Sequence, residues 1–303
     1  MTVKVFRAAD PNAPILNGQV GTLTTVLYQC LVTGYGITES AGWTMPFFDN
    51  LENSVFRPGL PNNGFHLRLN DKITSYSNYA VMAGYLNMTD LNAGSDATPS
   101  ATVNSLGVGI RKSTISSSLA RDWTIIANHR FIYLIINTDG SSNYNKAECF
   151  CFGQFDSFKD GDLYNCLISG RNPTDYNNSL ESDLFSLSKP TNESISDSHL
   201  MRSYTQLGSS VIFGKHFDTS KKLLPFPNTV DGNLFLSPVY IHEPQANSVR
   251  GKFPGLWNVC HNKDFFNHGD TFSGNGLLNG KTFMIIKVKN AAFAIEISDT
   301  WDL

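Results

Sequence analysis

Three of the five cysteines lie close in sequence: Cys149, Cys151 and Cys166. On a strand, residues two apart point to the same face, so Cys149 and Cys151 share a side. Cys166 falls on the next expected strand, which lets three thiols approach one another. A structural zinc site needs a fourth ligand and typically two to four residues between paired thiolates. A single intervening residue, within the aromatic run Phe150, Phe152 and Phe155, fits the other use of a free cysteine, as a small buried hydrophobe. Among the seven histidines, His261 and His268 are the closest pair, with Asp264 between them. They fall in a Gly- and Asn-rich stretch, Asn262 to Gly276, with no helix to set their spacing. Structural or solvated histidine is the favoured reading there, against metal binding or catalysis. His242-Glu243 precedes Pro244 and reads as the end of a strand.

Other catalytic signatures are missing from the sequence. No Gly-x-Ser-x-Gly elbow is present. Gly208-Ser209-Ser210 starts a strand, but nothing marks a base beside it. No Gly-x-x-x-x-Gly-Lys-Ser/Thr phosphate loop occurs. Gly107-Val108-Gly109 lacks the third glycine and following helix of a dinucleotide site. A glycosidase carboxylate pair is set by three-dimensional distance and cannot be read from spacing. The residues nominate no catalytic, cofactor-binding or metal-binding position, and the chain is expected not to be an enzyme.

Composition narrows the class. The chain has 303 residues, with 41% hydrophobic, 12% aromatic and only 16% charged, against about 25% charged in ordinary domains. Neutral polar residues fill the gap, with 29 Asn and 30 Ser. Coiled coils, which need charge in quantity, are excluded, and so is disorder of the whole chain, because 21 Phe, 11 Tyr and 4 Trp can build a core. A net charge of −3 gives no general attraction for nucleic acid. The most basic short run is Arg111-Lys112. The longest apolar stretches, Phe131 to Ile136 and Phe283 to Val288, are strand-length, far short of the roughly 20 residues of a membrane helix. Residues 1–7 lack a secretory h-region, so a chain made and kept in a cytoplasm until some later step is expected. An odd cysteine count in a large chain argues against a disulfide framework. The Asn-x-Ser/Thr triplets, such as Asn87-Met88-Thr89, then carry no glycosylation meaning.

The elements that would position these residues are mostly strands. Apolar spacing near 3.6 over Val20, Leu23, Val26, Leu27, Cys30 and Leu31 predicts one helix over about 20–33, stopped at Gly34. Strands are expected at Val3–Arg7, at the half-buried run Phe65–Leu69, and at Tyr79–Met88 with an interruption at Gly84. Trp123–Ala127 and Phe131–Asn137 flank a hairpin turn at 128–130. Glu148–Phe155 and Asp162–Ile168 follow, and Thr282–Val288 and Ala292–Ile297 form a second hairpin. The expected fold is therefore mainly β, with antiparallel, sandwich-like sheets, one N-terminal helix and long polar loops. Two such loops are read at Asn92–Ser105 and Asn172–Ser198. The second divides the chain into a β-rich part at 1–171, an exposed loop or linker at 172–198, and a β-rich part at 199–303, which together can form one continuous domain. Phe47-Phe48 and Phe265-Phe266 each place one ring on either face of an extended segment, either in a core or in contact with a partner.

Two stretches carry a resemblance. One is Leu31-Val32-Thr33-Gly34-Tyr35-Gly36, followed by Ala41-Gly42-Trp43-Thr44 and Val55-Phe56-Arg57. The other is Val249-Arg250-Gly251-Lys252-Phe253-Pro254-Gly255-Leu256, followed by His268-Gly269-Asp270-Thr271-Phe272 and Ser298-Asp299-Thr300-Trp301. Between them sits Phe155-x-x-Phe158-Lys159-x-Gly161-Asp162. The pattern runs over most of the chain and resembles virion structural proteins of tailed bacteriophages. The resemblance implies a multi-copy particle protein of the capsid surface, neck or collar, or tail. Its partners would be other virion proteins and copies of itself, with no cofactor, nucleic acid or membrane. In that reading Gly34 and Gly36 allow a tight exit from the helix, and Trp43 lies over it as a lid. The 250–256 stretch is a fixed turn delivering Leu256 and Trp257 into a core or contact, and Trp301 pins the last strand. The alternative is a receptor- or glycan-binding module of a fibre or spike, with a shallow aromatic-lined groove.

Overall fold

The computed structural model describes residues 2–49, 52–59, 64–72, 76–100, 107–141, 144, 146–171, 173, 198–215, 224–287, 292–298 and 300–301. The fold is mainly β, in three antiparallel sheets, with a single short α-helix near the N-terminus.

The central sheet explains the longest apolar runs. Its order is β1 (Lys4–Arg7), β8 (Asp122–Ala127), β9 (Phe131–Asn137), β10 (Ala147–Gln154), β12 (Cys166–Ser169), β13 (Ser198–Leu200) and β14 (Ser210–Val211). Every residue of β9 and β10 is buried. One face, with Ile132, Leu134, Ile136, Phe150 and Phe152, packs on a sheet and helix from the N-terminal region. The other face, with Phe131, Tyr133, Ile135, Cys149 and Cys151, packs on a C-terminal sheet. A strand covered on both faces needs apolar residues at every position, which is why these runs do not alternate. Each large side chain so buried contributes about 1.5–3 kcal/mol.

The outer sheets each cover one face. The N-terminal sheet runs β2 (Thr44–Asp49), β3 (Asn53–Arg57), β4 (His66–Asn70), β5 (Tyr79–Asp90) and β6 (Ala93–Thr98), with β7 (Val108–Arg111) on the first part of β5. The C-terminal sheet runs β15 (Phe213–Lys215), β16 (Leu236–Glu243), β17 (Ser248–Val259), β20 (Ala292–Glu296), β19 (Thr282–Lys287) and β18 (Thr271–Ser273). A two-residue strand, β11 (Asp156–Ser157), pairs with β17. It carries the chain from the central sheet onto the C-terminal one. Both expected hairpins form, as β8–β9 and β19–β20. Strands from both sides of the 172–198 span share the central sheet. Residues 172 and 174–197 lie outside the described residues.

The helix α1 spans Thr22–Tyr28 and continues as a π-helical turn over Gln29–Thr33. It ends at Gly34, whose φ of 81° suits glycine. Trp43 closes over it as expected, buried in the same core, with its indole N–H donating to the Asn128 carbonyl at 2.8 Å. The first-turn N–H groups find no cap in their own segment. Asp71, just past β4, supplies one from afar: its Oδ2 accepts from Leu23 N at 3.0 Å and Thr24 N at 3.2 Å.

Four expectations need correction. The strand expected over Asp162–Ile168 begins only at Cys166, and 162–165 lie in a turn that crosses to the C-terminal sheet. Within the loop expected at 92–105, Ala93–Thr98 forms β6, while residues 101–106 lie outside the described residues. Its side chains at 93–96 face solvent, so pairing of its backbone with β5, not apolar pattern, defines the strand. The strand over Tyr79–Met88 is not interrupted at Gly84. It runs unbroken to Asp90, and Gly84 lets the ring of Phe152 from the central sheet approach, within 3.1 Å of where a Cβ would be. The stretch 250–256 is not a turn but part of β17, bulged against β16. It does deliver buried Leu256 and Trp257. Gly255 sits there at φ 62°, its Cβ position 2.3 Å from the Trp301 ring, so no side chain fits. Trp301 in turn donates to the Glu296 carbonyl at 2.7 Å and packs edge-on against Phe131 and Tyr133. It thereby fastens the chain end to the central sheet.

Candidate functional site

Two of the stretches that carry the resemblance meet in space. Residues 155–165 leave the central sheet and fold across the end of the β16–β17 hairpin, held by main-chain bonds such as Phe158 N to the Arg250 carbonyl at 2.8 Å. Arg250 is the hub. Its Nε and one terminal nitrogen donate to the two oxygens of Asp162 at 2.9 and 3.0 Å, and its other terminal nitrogen donates to Glu243 at 3.2 Å. All three side chains are buried. Glu243 also accepts from Tyr204 N at 3.0 Å, and Asp162 accepts from Ser157 Oγ at 2.6 Å. A planar guanidinium with a fixed fork of donors is suited to such a double load. The triad therefore ties three segments together: 155–165, 202–206 and the β16–β17 hairpin.

Apolar side chains surround this buried ionic hub on the surface. Phe158, Leu163 and Leu207 are 54%, 62% and 81% exposed, and Tyr204 and Val249 are also exposed. Phe158 leans on Tyr240 with ring centres 6.3 Å apart. Lys159 Nζ donates to the Tyr204 carbonyl at 3.1 Å. Arg202 lies 5.2 Å from the Tyr164 ring centre and pairs with Asp96 at 2.7 Å. Exposed apolar groups on segments joined by a buried polar hub have the make-up of a protein-contact surface. The sequence gives one clue to it. Two carboxylates and an arginine amid so little charge are candidates for internal pairing; Glu243 lies seven residues from Arg250, but Asp162 lies 88 away, too far for spacing to join it to them.

The three cysteines are free and buried, as the core reading expects, and do not all share one face. Cys149 and Cys151 face the C-terminal sheet, whereas Cys166 faces the N-terminal sheet. The register explains this: Cys166 stands opposite Gln154, one position out of phase with Cys151. Burial pushes all three thiols well above the usual range, so they stay protonated. Nor do His261, Asp264 and His268 converge. His261 accepts from Phe235 N at 2.7 Å and faces the Leu224 carbonyl. Asp264 is exposed and pairs with Lys263. His268 stacks on Tyr144, ring centres 3.8 Å apart, and burial pushes its imidazole down to about 4. Among the described residues, no group of three or more His, Cys, Asp or Glu is placed to hold a metal ion.

Ser209 Oγ donates to the Leu200 carbonyl at 3.0 Å, and Ser210 is buried at the start of β14. Of the aromatic pairs, Phe48 and Phe265 are 61% and 55% exposed, Phe47 is half-buried and Phe266 is buried. Phe226, Phe265, Phe266 and Phe272 form a ring cluster with centres 4.9–6.1 Å apart. Beside it is a pocket of about 40 Å³, rimmed by Asp231, Asn233, Ser273 and Asn275 over Phe272 and Phe283. A second pocket, of about 10 Å³, lies at Gly255 and Trp301. That volume matches a single water.

Among the described residues, no helix is long and apolar enough to cross a membrane. No protein-family model and no curated protein matches this chain.

Proposed function

We propose that this chain is a non-enzymatic structural protein of a tailed-bacteriophage virion. It is made in the host cytoplasm and built into the particle in multiple copies at the capsid surface, neck or collar, or tail. Its work is to bind other virion proteins and copies of itself, with no nucleic acid, membrane or cofactor involved. The observation that carries this reading is the rim around Arg250. Two stretches that resemble phage virion proteins, 155–162 and 249–256, meet at one hub and leave Phe158 and Val249 exposed, with Leu163, Tyr204 and Leu207 exposed on the segments beside them. Neutral loops rich in Asn and Ser suit wet, hydrogen-bonded contacts, and many weak contacts add up in an assembly. The test is mass spectrometry of purified virions, in which the chain is expected at structural-protein abundance. Its absence from intact particles refutes the proposal. Phe158→Glu should lower incorporation at least several-fold while leaving the fold intact, because this ring is already half in water.

A second reading, a glycan-binding module of a fibre or spike, is favoured by the pocket beside Phe272. There an aromatic floor meets Asp231, Asn233 and Asn275 on the rim, the pairing of ring face and polar groups that suits a sugar. A specific glycan-array signal that is lost in Asn275→Ala would favour it.

A further inference from the structure

We propose that Lys112 and Asp71 form an intramolecular amide crosslink, in which Lys112 Nζ replaces Oδ1 on the Asp71 side-chain carbon and one water leaves. Both side chains are completely buried. Lys112 Nζ contacts Asp71 Oδ1 and also donates to the Gln19 carbonyl at 2.7 Å and the Asp71 carbonyl at 3.0 Å. The other carboxylate oxygen, Oδ2, lies in a cradle of two N–H groups, from Leu23 at 3.0 Å and Thr24 at 3.2 Å. Nucleophile, carbonyl carbon and oxyanion donors are thus assembled in one dry place.

The steps balance without a co-reactant. One proton passes from Nζ to Oδ1, leaving an amine beside a carboxylic acid. The nitrogen lone pair attacks the side-chain carbon, and the carbonyl π electrons move onto Oδ2. There the Leu23 and Thr24 N–H groups meet the developing charge. A second proton goes from Nζ to Oδ1, the C–Oδ1 bond breaks, and water departs as the carbonyl re-forms. An ammonium and a carboxylate become an amide and a water.

Three physical effects favour the reaction, two through the attack and one through the product. Burial raises the affinity of Asp71 for its proton and lowers that of Lys112, with their mutual attraction opposing both, so the neutral forms needed for attack are brought closer. Groups held in contact react with effective molarities of about 10⁵–10⁸ M. The amide removes two buried charges, whose desolvation is costly. Its hydrogen bonds are already in place: Oδ2 keeps both N–H donors, and the one remaining N–H has the Gln19 and Asp71 carbonyls to choose from. The link would join the loop after β4 to the end of β7, directly under the start of α1.

The experiment is intact-mass measurement on the folded, full-length chain after denaturation, followed by peptide mapping. The chain should be lighter than its sequence mass by one water, about 18 Da. The map should show a branched peptide joining the Asp71 and Lys112 segments, with no tryptic cut at Lys112. Lys112→Arg should restore the sequence mass. Asp-Gly steps such as Asp139-Gly140, Asp160-Gly161 and Asp231-Gly232 can lose one water by cyclising, so the map is the deciding readout. A wild-type chain at its sequence mass overturns the proposal, as does a water loss mapped to an Asp-Gly step.

Discussion

Arg250→Met is expected to destabilise the protein by about 3–5 kcal/mol, the usual cost of removing one partner from a buried ion pair. The side chain of methionine fills part of the space, so the loss is chiefly electrostatic. Asp162 and Glu243 are left with almost no access to water and without their shared guanidinium. Asp162 keeps Ser157 Oγ and Tyr164 N as lesser donors and Glu243 keeps Tyr204 N, which do not replace a full positive charge. Urea unfolding of the variant checks the magnitude. A triple variant, Arg250→Met with Asp162→Asn and Glu243→Gln, should recover a large part of the loss, because no unpaired buried charge remains. Equal destabilisation of the single and triple variants would show that shape, not charge, governs the hub. Limited proteolysis provides a local readout. The segment 157–165 should become the first cleavage site in Arg250→Met, since Asp162 is its anchor.

The second large effect is loss of stability in acid. Burial pushes His199 and His66 down from 6.5 to about 4, with Arg57 adding to the effect at His66. Both imidazoles are almost wholly buried. A histidine whose folded pKa lies below its unfolded value favours folding fully above about 6.5, where both states are neutral. As the pH falls from 6.5 toward 4, the unfolded chain takes up the proton and the folded chain does not. Stability therefore drains across that window, at about 1.4 kcal/mol per pH unit for each such group. For His199 alone the full loss is about 3 kcal/mol. The urea midpoint should fall steeply between pH 6.5 and 4, and His199→Gln should flatten the slope. An unchanged slope in that variant would mean that carboxylates alone drive the acid transition.

Much of the architecture is legible in the sequence because it is local. Gly34 stops the helix, the turn at 128–130 sets one hairpin, and the apolar runs of β19 and β20 mark the strands of the other. Aromatic and branched residues mark the strands that fill the core. The five exposed apolar side chains around Arg250 could not be recognised in the same way. Phe158, Tyr204 and Val249 look like core residues on paper, and only the tertiary structure leaves them exposed.

The thiols illustrate the same limit. The two-residue period correctly places Cys149 and Cys151 on one side, but whether Cys166 joins them depends on register, and a shift of one residue sends it to the opposite face. Charge is the sharper case. A chain with 16% charged residues reads as one whose loops are neutral, and that excess of Asn and Ser is set by composition alone. Lys112 belongs to the most basic short run in the sequence, which gives no sign of burial. The tertiary structure buries it against Asp71, because the N-terminus of α1 leaves N–H groups that a distant carboxylate must satisfy, and that carboxylate then requires a cation. The sequence by itself determines a low-charge, aromatic-rich β chain with one helix. Only the fold decides which of its few charges are internal, since pairing across the chain depends on distances that no spacing encodes.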